Sequence, residues 1–326
     1  KKIDILGERI NGIPYEGNMP EGVKNHLFEV SRRWLAPNGD LSNGIDGFRL
    51  DVAEKIGLQF WRDYRKFVRS VKHDAYLVGE IWWEKWPEKL MNPAPYLKGD
   101  VFDAVMFYQV YKPARYFFAE TGIPFDALAL KDSLQKEWKH VPEVNLYAMM
   151  NVSSSHDTPR LLSDFFNEGK YKYLVSPNDN PDYKTGKPDK KTYKRLRLYL
   201  IHLFTTIGAP QIWNGEEMGM WGADDPFPRK PLWWSEFKFD KENRNNVKEM
   251  KPVFDKVGFD KNQFLFYKKL IGIRKSNRAL MDGKFEFLTT ANKLLIYKRY
   301  TLSEEIIVVL NAGNKSKTVI LPNNNN

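Results

Sequence analysis

Residues 44–56 read GIDGFRLDVAEKI, and the placement of their charges decides how the chain folds. Side chains alternate across a strand, so Phe48, Leu50 and Val52 share one face while Arg49 and Asp51 share the other. A strand of a parallel sheet is buried on both faces and reads as a hydrophobic run. Charges inside such a strand are costly unless they are paired or face a cleft. The pattern therefore fits either an edge strand with one solvated face or a sheet strand whose polar face lines a working cleft.

The neighbouring segments favour the cleft. Upstream, PEGVKNHLFEVSRRWLAP from Pro20 has helical spacing, with Val23, Leu27, Val30 and Trp34 near one face. Pro20 suits a helix start, and Pro37 lies just past the end. Downstream come a helix containing LQFWRDYRKFVRSV, a strand YLVGEIW, a strand AVMFYQV, helical KPARYFFAE, and LYAMMNVSSSHD with a polar tip. A long helix YKRLRLYLIHLFTTIG, closed by Gly208, leads to the strand APQIWNGEE. Strands alternating with helices imply parallel βαβ units. The polar residues gather where strands end: Asp51, Glu80, His156 with Asp157, and Glu216 with Glu217. That is the working face of a TIM-type barrel. An open doubly wound sheet also binds at strand ends, but no glycine-rich phosphate turn follows any strand.

After QFLFYKKLIGIRKSN the pattern changes. KFEFLTT, KLLIYKRYT, EEIIVVLNAG and KSKTVILP read as successive antiparallel strands. The expected architecture is α/β: the carboxyl-terminal part of a TIM (β/α)8 barrel followed by a small antiparallel β-sandwich. Residues 44–278 would hold barrel strands 4 to 8 and the catalytic residues, and residues 279–326 the sandwich. The terminal NNNN reads as a disordered end.

Composition narrows the function. The chain has 326 residues and no cysteine, which excludes disulfides, thiolate chemistry and Cys metal sites. The net charge of +10 is spread among acids, as in DYKTGKPDKKTYKRLR, and forms no stripe of the kind that binds nucleic acid. No apolar run approaches the length of a membrane span. The ten Trp suit both cores and flat ligands such as sugar rings.

Three acids, Asp51, Glu80 and Asp157, stand at the ends of three strands. Two carboxylates flanking a bond are what glycoside hydrolysis needs. Arg49, two residues from Asp51 on the same face, favours an ionised carboxylate there, which suits a nucleophile. Trp82 and Trp83 after Glu80 suggest an apolar wall that would keep a general acid protonated. His156 offers a hydrogen bond to sugar hydroxyls. The five His are scattered and form no HExxH pair. No cofactor is required, and a calcium site of carboxylates and carbonyls stays open.

GIDGFRLDVAEKI, LVGEIW and SSSHDTPR resemble the second, third and fourth motif regions of the α-amylase family of glycoside hydrolases. SRRWLAPNGD and GAPQIWNGEEMGMWGADDPFPRKPLWW resemble its neopullulanase and cyclomaltodextrinase branch. The ordered set covers nearly all of the chain from about Pro20. The resemblance implies that Asp51 is the nucleophile, Glu80 the acid and then the base, and Asp157 the residue that binds sugar hydroxyls. Arg49 would orient Asp51, and His156 would contact the same sugar. Asp225 and Arg229 would reach the next sugar on the non-reducing side. Trp82, Trp83 and Trp86 would either stack on the glucan or belong to the core.

Some positions depart from the family pattern. Ser155 stands where many members have Asn, and Glu54–Lys55 replaces a Lys-His pair that serves the leaving side. The family's first motif region is absent, as are barrel strands one to three. Residues 1–43 would be a remnant of the inserted domain and barrel helix 3. The chain is therefore expected to be the carboxyl-terminal part of a larger enzyme, poorly active or aggregation-prone alone, because a half barrel leaves strand edges open.

The implied substrate is an α-glucan or maltooligosaccharide, with no nucleic acid or membrane partner; the sequence says nothing of oligomeric state. The branch resemblance implies a periplasmic or secreted location. A transglycosylase and a non-catalytic glucan-binding protein on the same scaffold are the alternatives. Retention of all three acids separates the enzyme from the latter.

Overall fold

The computed structural model describes residues 12–119, 122–169, 172–244 and 251–320. Residues 1–11 of the expected amino-terminal remnant and the terminal NNNN lie outside the described residues. The chain divides into two compact units.

The first unit comprises Lys1–Tyr111, Gln135–Ser153 and Gly208–Gln211. It contains helix α1 (Glu21–Leu35), strand β1 (Gly47–Leu50), helix α2 (Leu58–Val71) and strands β2 (Tyr76–Gly79), β3 (Ala104–Val105), β4 (Met150–Asn151) and β5 (Ala209–Pro210). β1 pairs in parallel with β2, from Gly47 opposite Tyr76 to Leu50 opposite Gly79. β2 pairs in parallel with β3, a bridge between Met106 and Met150 continues the array to β4, and β4 pairs in parallel with β5. The order β1-β2-β3-β4-β5 is that of successive barrel strands. The long strand read from AVMFYQV is shorter than expected, because a helix begins at Tyr108.

A Cβ at Gly47 would lie 1.9 Å from the Tyr76 carbonyl oxygen, so only glycine lets β1 approach β2 at its start. Phe48 faces α2, its ring 6.2 Å from that of Tyr64. Arg49 points the other way, into the face lined by Met106, whose sulfur lies 3.3 Å from Nε.

Helix α1 forms where the spacing placed it but turns a different face inward. Val23, Val30 and Trp34 are exposed, whereas Ser31 and Leu35 are buried. Phe28 sets the rotation: its ring stacks on Phe67 of α2 at 4.4 Å. The Ser31 hydroxyl reinforces it with a 2.9 Å hydrogen bond to Tyr64 Oη.

The second unit comprises Lys112–Leu134, Ser154–Ile207 and Ile212–Asn326. It contains helices α3 (Leu161–Phe166), α4 (Lys190–Thr205) and α5 (Lys261–Ser276) and strands β6 (Lys284–Ala291), β7 (Leu294–Tyr300) and β8 (Glu305–Asn311). β6-β7-β8 form an antiparallel sheet. The fourth strand expected from KSKTVILP is not formed by residues 315–320, so among the described residues this end holds one three-stranded sheet rather than a sandwich.

That sheet docks onto α4 through polar atoms. Arg299 of β7, fully buried, donates to the carbonyls of Thr205 and Thr206 at 2.9 and 2.7 Å. A cation at a helix carboxyl end meets the unpaired carbonyls and the negative end of the dipole. Tyr297 Oη bonds Thr205 Oγ1 at 2.6 Å and His202 Nδ1 at 3.3 Å. Burial pushes the His202 imidazole down to about 3, so it is neutral at physiological pH. Among the described residues, no helix is long and apolar enough to cross a membrane.

Candidate active site

Within the first unit, Asp51 follows β1 and Glu80 follows β2, so two adjacent parallel strands deliver two carboxylates at their carboxyl ends. Arg49 joins them. Its Nη1 pairs with Asp51 Oδ1, and its Nη2 lies 2.8 Å from Glu80 Oε1. The Asp51 side chain is 73% exposed and that of Glu80 only 7%. One carboxylate is therefore open to a ligand and the other is held.

Glu80 Oε2 accepts a 2.9 Å hydrogen bond from the Val52 amide. Val52 adopts φ 44°, left-handed backbone that a β-branched residue rarely takes. The turn aims the Val52 N–H back at Glu80 and stores strain beside Asp51, as functional sites often do. The sequence suggested an aromatic wall around Glu80; its oxygens instead meet a guanidinium and a backbone amide.

The neighbouring tryptophans divide. Trp82 is buried and its ring stacks on Tyr108 at 4.3 Å, which is the core alternative of the two the sequence left open. Trp83 is half-buried and Trp86 exposed. Glu54, which with Lys55 replaces the family's Lys-His pair, is buried, while Lys55 is exposed.

Removing the shared cation has a defined expected cost. Arg49→Met keeps the side-chain length but leaves the buried Glu80 carboxylate without its cation, which should lower stability by about 2–4 kcal/mol. A urea titration followed by tryptophan fluorescence measures this, and an unchanged midpoint would contradict the bridging role.

Within the second unit, four of the residues singled out in the sequence form one chain of contacts. His156 Nε2 lies 3.0 Å from Asp157 Oδ2. Arg229 Nη2 donates to Asp157 Oδ1 at 3.0 Å, and its Nε to Asp225 Oδ1 at 2.5 Å. The backbone is held as well: Lys172 Nζ donates to the Asp157 carbonyl and to both oxygens of Asp224, at 2.8 and 2.7 Å. Asp157 N–H donates to Ser155 Oγ at 3.1 Å, so Ser155 closes a local turn.

Beneath this loop lies a buried carboxyl, that of Glu216. Glu216 is 1% exposed. Burial pushes its carboxyl up to about 7, against the opposing pull of the Arg160 guanidinium. A folded-state value above the unfolded one means that the folded protein prefers the protonated form. Stability is therefore lost as pH rises from about 4.5 through about 7, by about 3 kcal/mol. Glu216→Gln should flatten this fall, seen as a variant melting higher than the parent at pH 8 and level with it at pH 4.5.

Among the described residues, no group of three or more His, Asp or Glu side chains is placed to hold a metal ion, so no calcium site is assigned.

With this geometry in view, the comparisons with known proteins are specific. The catalytic domain of α-amylase matches residues 18–283, and the chain belongs to the α-amylase family, whose fold is of the TIM-barrel type. It is 31% identical over 302 residues to a cyclomaltodextrinase of Geobacillus thermopakistaniensis (strain MAS1), covering 92% of this chain and 41% of that protein. It is likewise 31% identical over 305 residues to neopullulanase 2 of Thermoactinomyces vulgaris, covering 92% and 41%. A solved cyclomaltodextrinase structure superposes with a TM-score of 0.67 at 29% identity, over 93% of this chain and 44% of that one. The chain thus spans less than half the length of these relatives.

Proposed function

We propose that this chain carries the catalytic residues of a retaining hydrolase of α-1,4-linked glucans, acting on cyclodextrins, pullulan or related maltooligosaccharides. The observation that supports it most is the single Arg49 guanidinium between the carboxylates of Asp51 and Glu80. A shared guanidinium keeps two carboxylates close, and retaining enzymes need a pair about 5 Å apart, against roughly 6.5–9.5 Å for inversion. The names of the relatives, cyclomaltodextrinase and neopullulanase, supply the substrate class.

In this reading the exposed, ionised Asp51 attacks the anomeric carbon. A bond forms from its carboxylate oxygen to that carbon as the glycosidic bond breaks, and Glu80 delivers a proton to the leaving oxygen. Glu80 then takes a proton from water, which displaces Asp51 and restores the original configuration. To hold the proton, Glu80 Oε1 gives up Arg49, whose charge then serves Asp51 alone. Asp157, held by Arg229 and His156, binds sugar hydroxyls and tightens on them in the transition state. Asp225 and Arg229 contact the sugar next along the non-reducing side.

Incubation with a cyclodextrin tests the reading. Linear maltooligosaccharides should appear with this chain, slowly as expected of part of a barrel, and not with Asp51→Asn. A folded chain that binds cyclodextrin without opening it would favour a glucan-binding protein. Products longer than the substrate would mark transfer to a sugar hydroxyl.

A further inference from the structure

We infer that Glu216 is a positioning residue for Asp157, because its buried carboxyl straps both ends of the loop that presents His156 and Asp157. The inference rests on the proposed role of Asp157 in holding sugar hydroxyls. Glu216 Oε1 accepts from Ser154 Oγ at 3.0 Å and from the Leu161 amide at 3.3 Å. Ser154 lies two residues before His156, and Leu161 four residues after Asp157. One oxygen thus ties the entry and the exit of residues 154–161. The middle of the loop is already fixed by its own turn: Ser155 N–H donates to Thr158 Oγ1 at 2.8 Å. The ends are what an outside group has to set.

Arg160 extends the strap to the partner of Asp157. Its Nη1 lies 3.8 Å from Glu216 Oε1 and donates to the Asn214 carbonyl at 2.9 Å. Its Nε donates to the Pro228 carbonyl at 3.0 Å, next to Arg229, which bonds Asp157 Oδ1. The same post-β5 segment brings Trp213, whose ring centroid is 6.0 Å from that of His156. Both the carboxylate and the guanidinium that hold it therefore take their backbone positions from one buried pair.

The environment of Glu216 fits a positioning role better than a packing role. Oε2 is buried and, among the described residues, makes no hydrogen bond. A carboxyl in that state costs stability that an apolar side chain of similar size would not. Such costs are expected where function sets the residue. The charged and titratable groups around the Glu216–Arg160 pair include Glu217, Glu242, Lys230 and Tyr267. Within the pair Arg160 favours the ionised carboxyl, and Glu217 opposes it.

Three variants of the full chain test the inference: Glu216→Ala, Glu216→Gln and Ser154→Ala. Each is assayed for cyclodextrin opening and for amide hydrogen exchange across residues 154–161. Glu216→Ala should lower kcat roughly 10- to 100-fold, with KM within about twofold, because misplaced transition-state contacts cost turnover more than binding. Exchange in the loop should quicken about tenfold or more. Glu216→Gln keeps the accepting oxygen and should restore both readings to near the parent's, even where its stability differs. Ser154→Ala removes one tie and should move both in the same direction by less. It decides the matter if Glu216→Ala does not fold. Unchanged loop exchange in Glu216→Ala or Ser154→Ala would overturn the strap. Faster exchange with unchanged kcat would overturn its link to Asp157. If the parent chain opens no cyclodextrin, the functional reading fails, while the exchange data still decide the strap.

Discussion

Asp51→Asn is expected to lower glucan hydrolysis by on the order of 10⁴-fold or more, the scale seen when a catalytic nucleophile is removed. The substitution preserves size and leaves Arg49 its second contact, the 2.8 Å pair with Glu80. The surrounding fold should therefore persist. Maltooligosaccharide affinity should stay within about threefold, because a nucleophile acts in the transition state rather than in binding. Turnover of cyclodextrin and calorimetric binding of maltotriose, measured on the same preparation, give the two halves of the result. Hydrolysis reduced only a few-fold would remove Asp51 from the covalent role.

Glu80→Gln should separate two classes of substrate. Glutamine accepts the Val52 amide as glutamate does, but it cannot deliver a proton. With a natural glucan, whose leaving oxygen needs protonation, the rate should fall roughly 10²- to 10⁴-fold. With an aryl maltoside or maltosyl fluoride, whose leaving group departs unaided, formation of the glycosyl-enzyme should be largely spared. The same loss on both classes would show that Glu80 is not the acid. The resting contacts of Glu80 sharpen the test, because Oε2 accepts the Val52 amide and Oε1 lies 2.8 Å from the Arg49 guanidinium. Proton delivery then requires Oε1 to exchange Arg49 for the leaving group.

The strand GFRLD was legible because its charges violate the pattern of a buried strand, and the structure pairs them as that violation demanded. Asp157 and His156 stand out as polar residues at a strand end, and Asp225 and Arg229 through the family resemblance; side-chain contacts bring all four together. Other readings failed for identifiable reasons. Periodicity in α1 marks Val23, Leu27, Val30 and Trp34 as one apolar face, but periodicity does not say which partner covers a face. Phe28, stacked on Phe67, sets the rotation and leaves Val23, Val30 and Trp34 exposed and Leu27 half-buried. Trp82 carries no sequence sign of its orientation, and its stack on Tyr108 fixes it in the core. Val52 could not be found from sequence, since a β-branched residue is among the last expected at positive φ. Glu216 was visible as a strand-end acid. Its contacts carry no sequence signal, because Ser154 and Leu161, which donate to one of its oxygens, lie more than fifty residues away.

The parallel array has open ends. Among the described residues, β1 pairs only with β2, and β5 only with β4. Such edges expose unpaired backbone groups that invite association with another strand. Assays across a range of protein concentration would show whether turnover per chain depends on association.

The most direct test of the central claim is the configuration of the first sugar released. Proton NMR would follow a cyclodextrin or pullulan digest from its first minutes, with Asp51→Asn run beside it. The account expects the α-anomer first, followed by slow mutarotation, and no release from the variant. First release of the β-anomer, or α-anomer release that persists in Asp51→Asn, would contradict it.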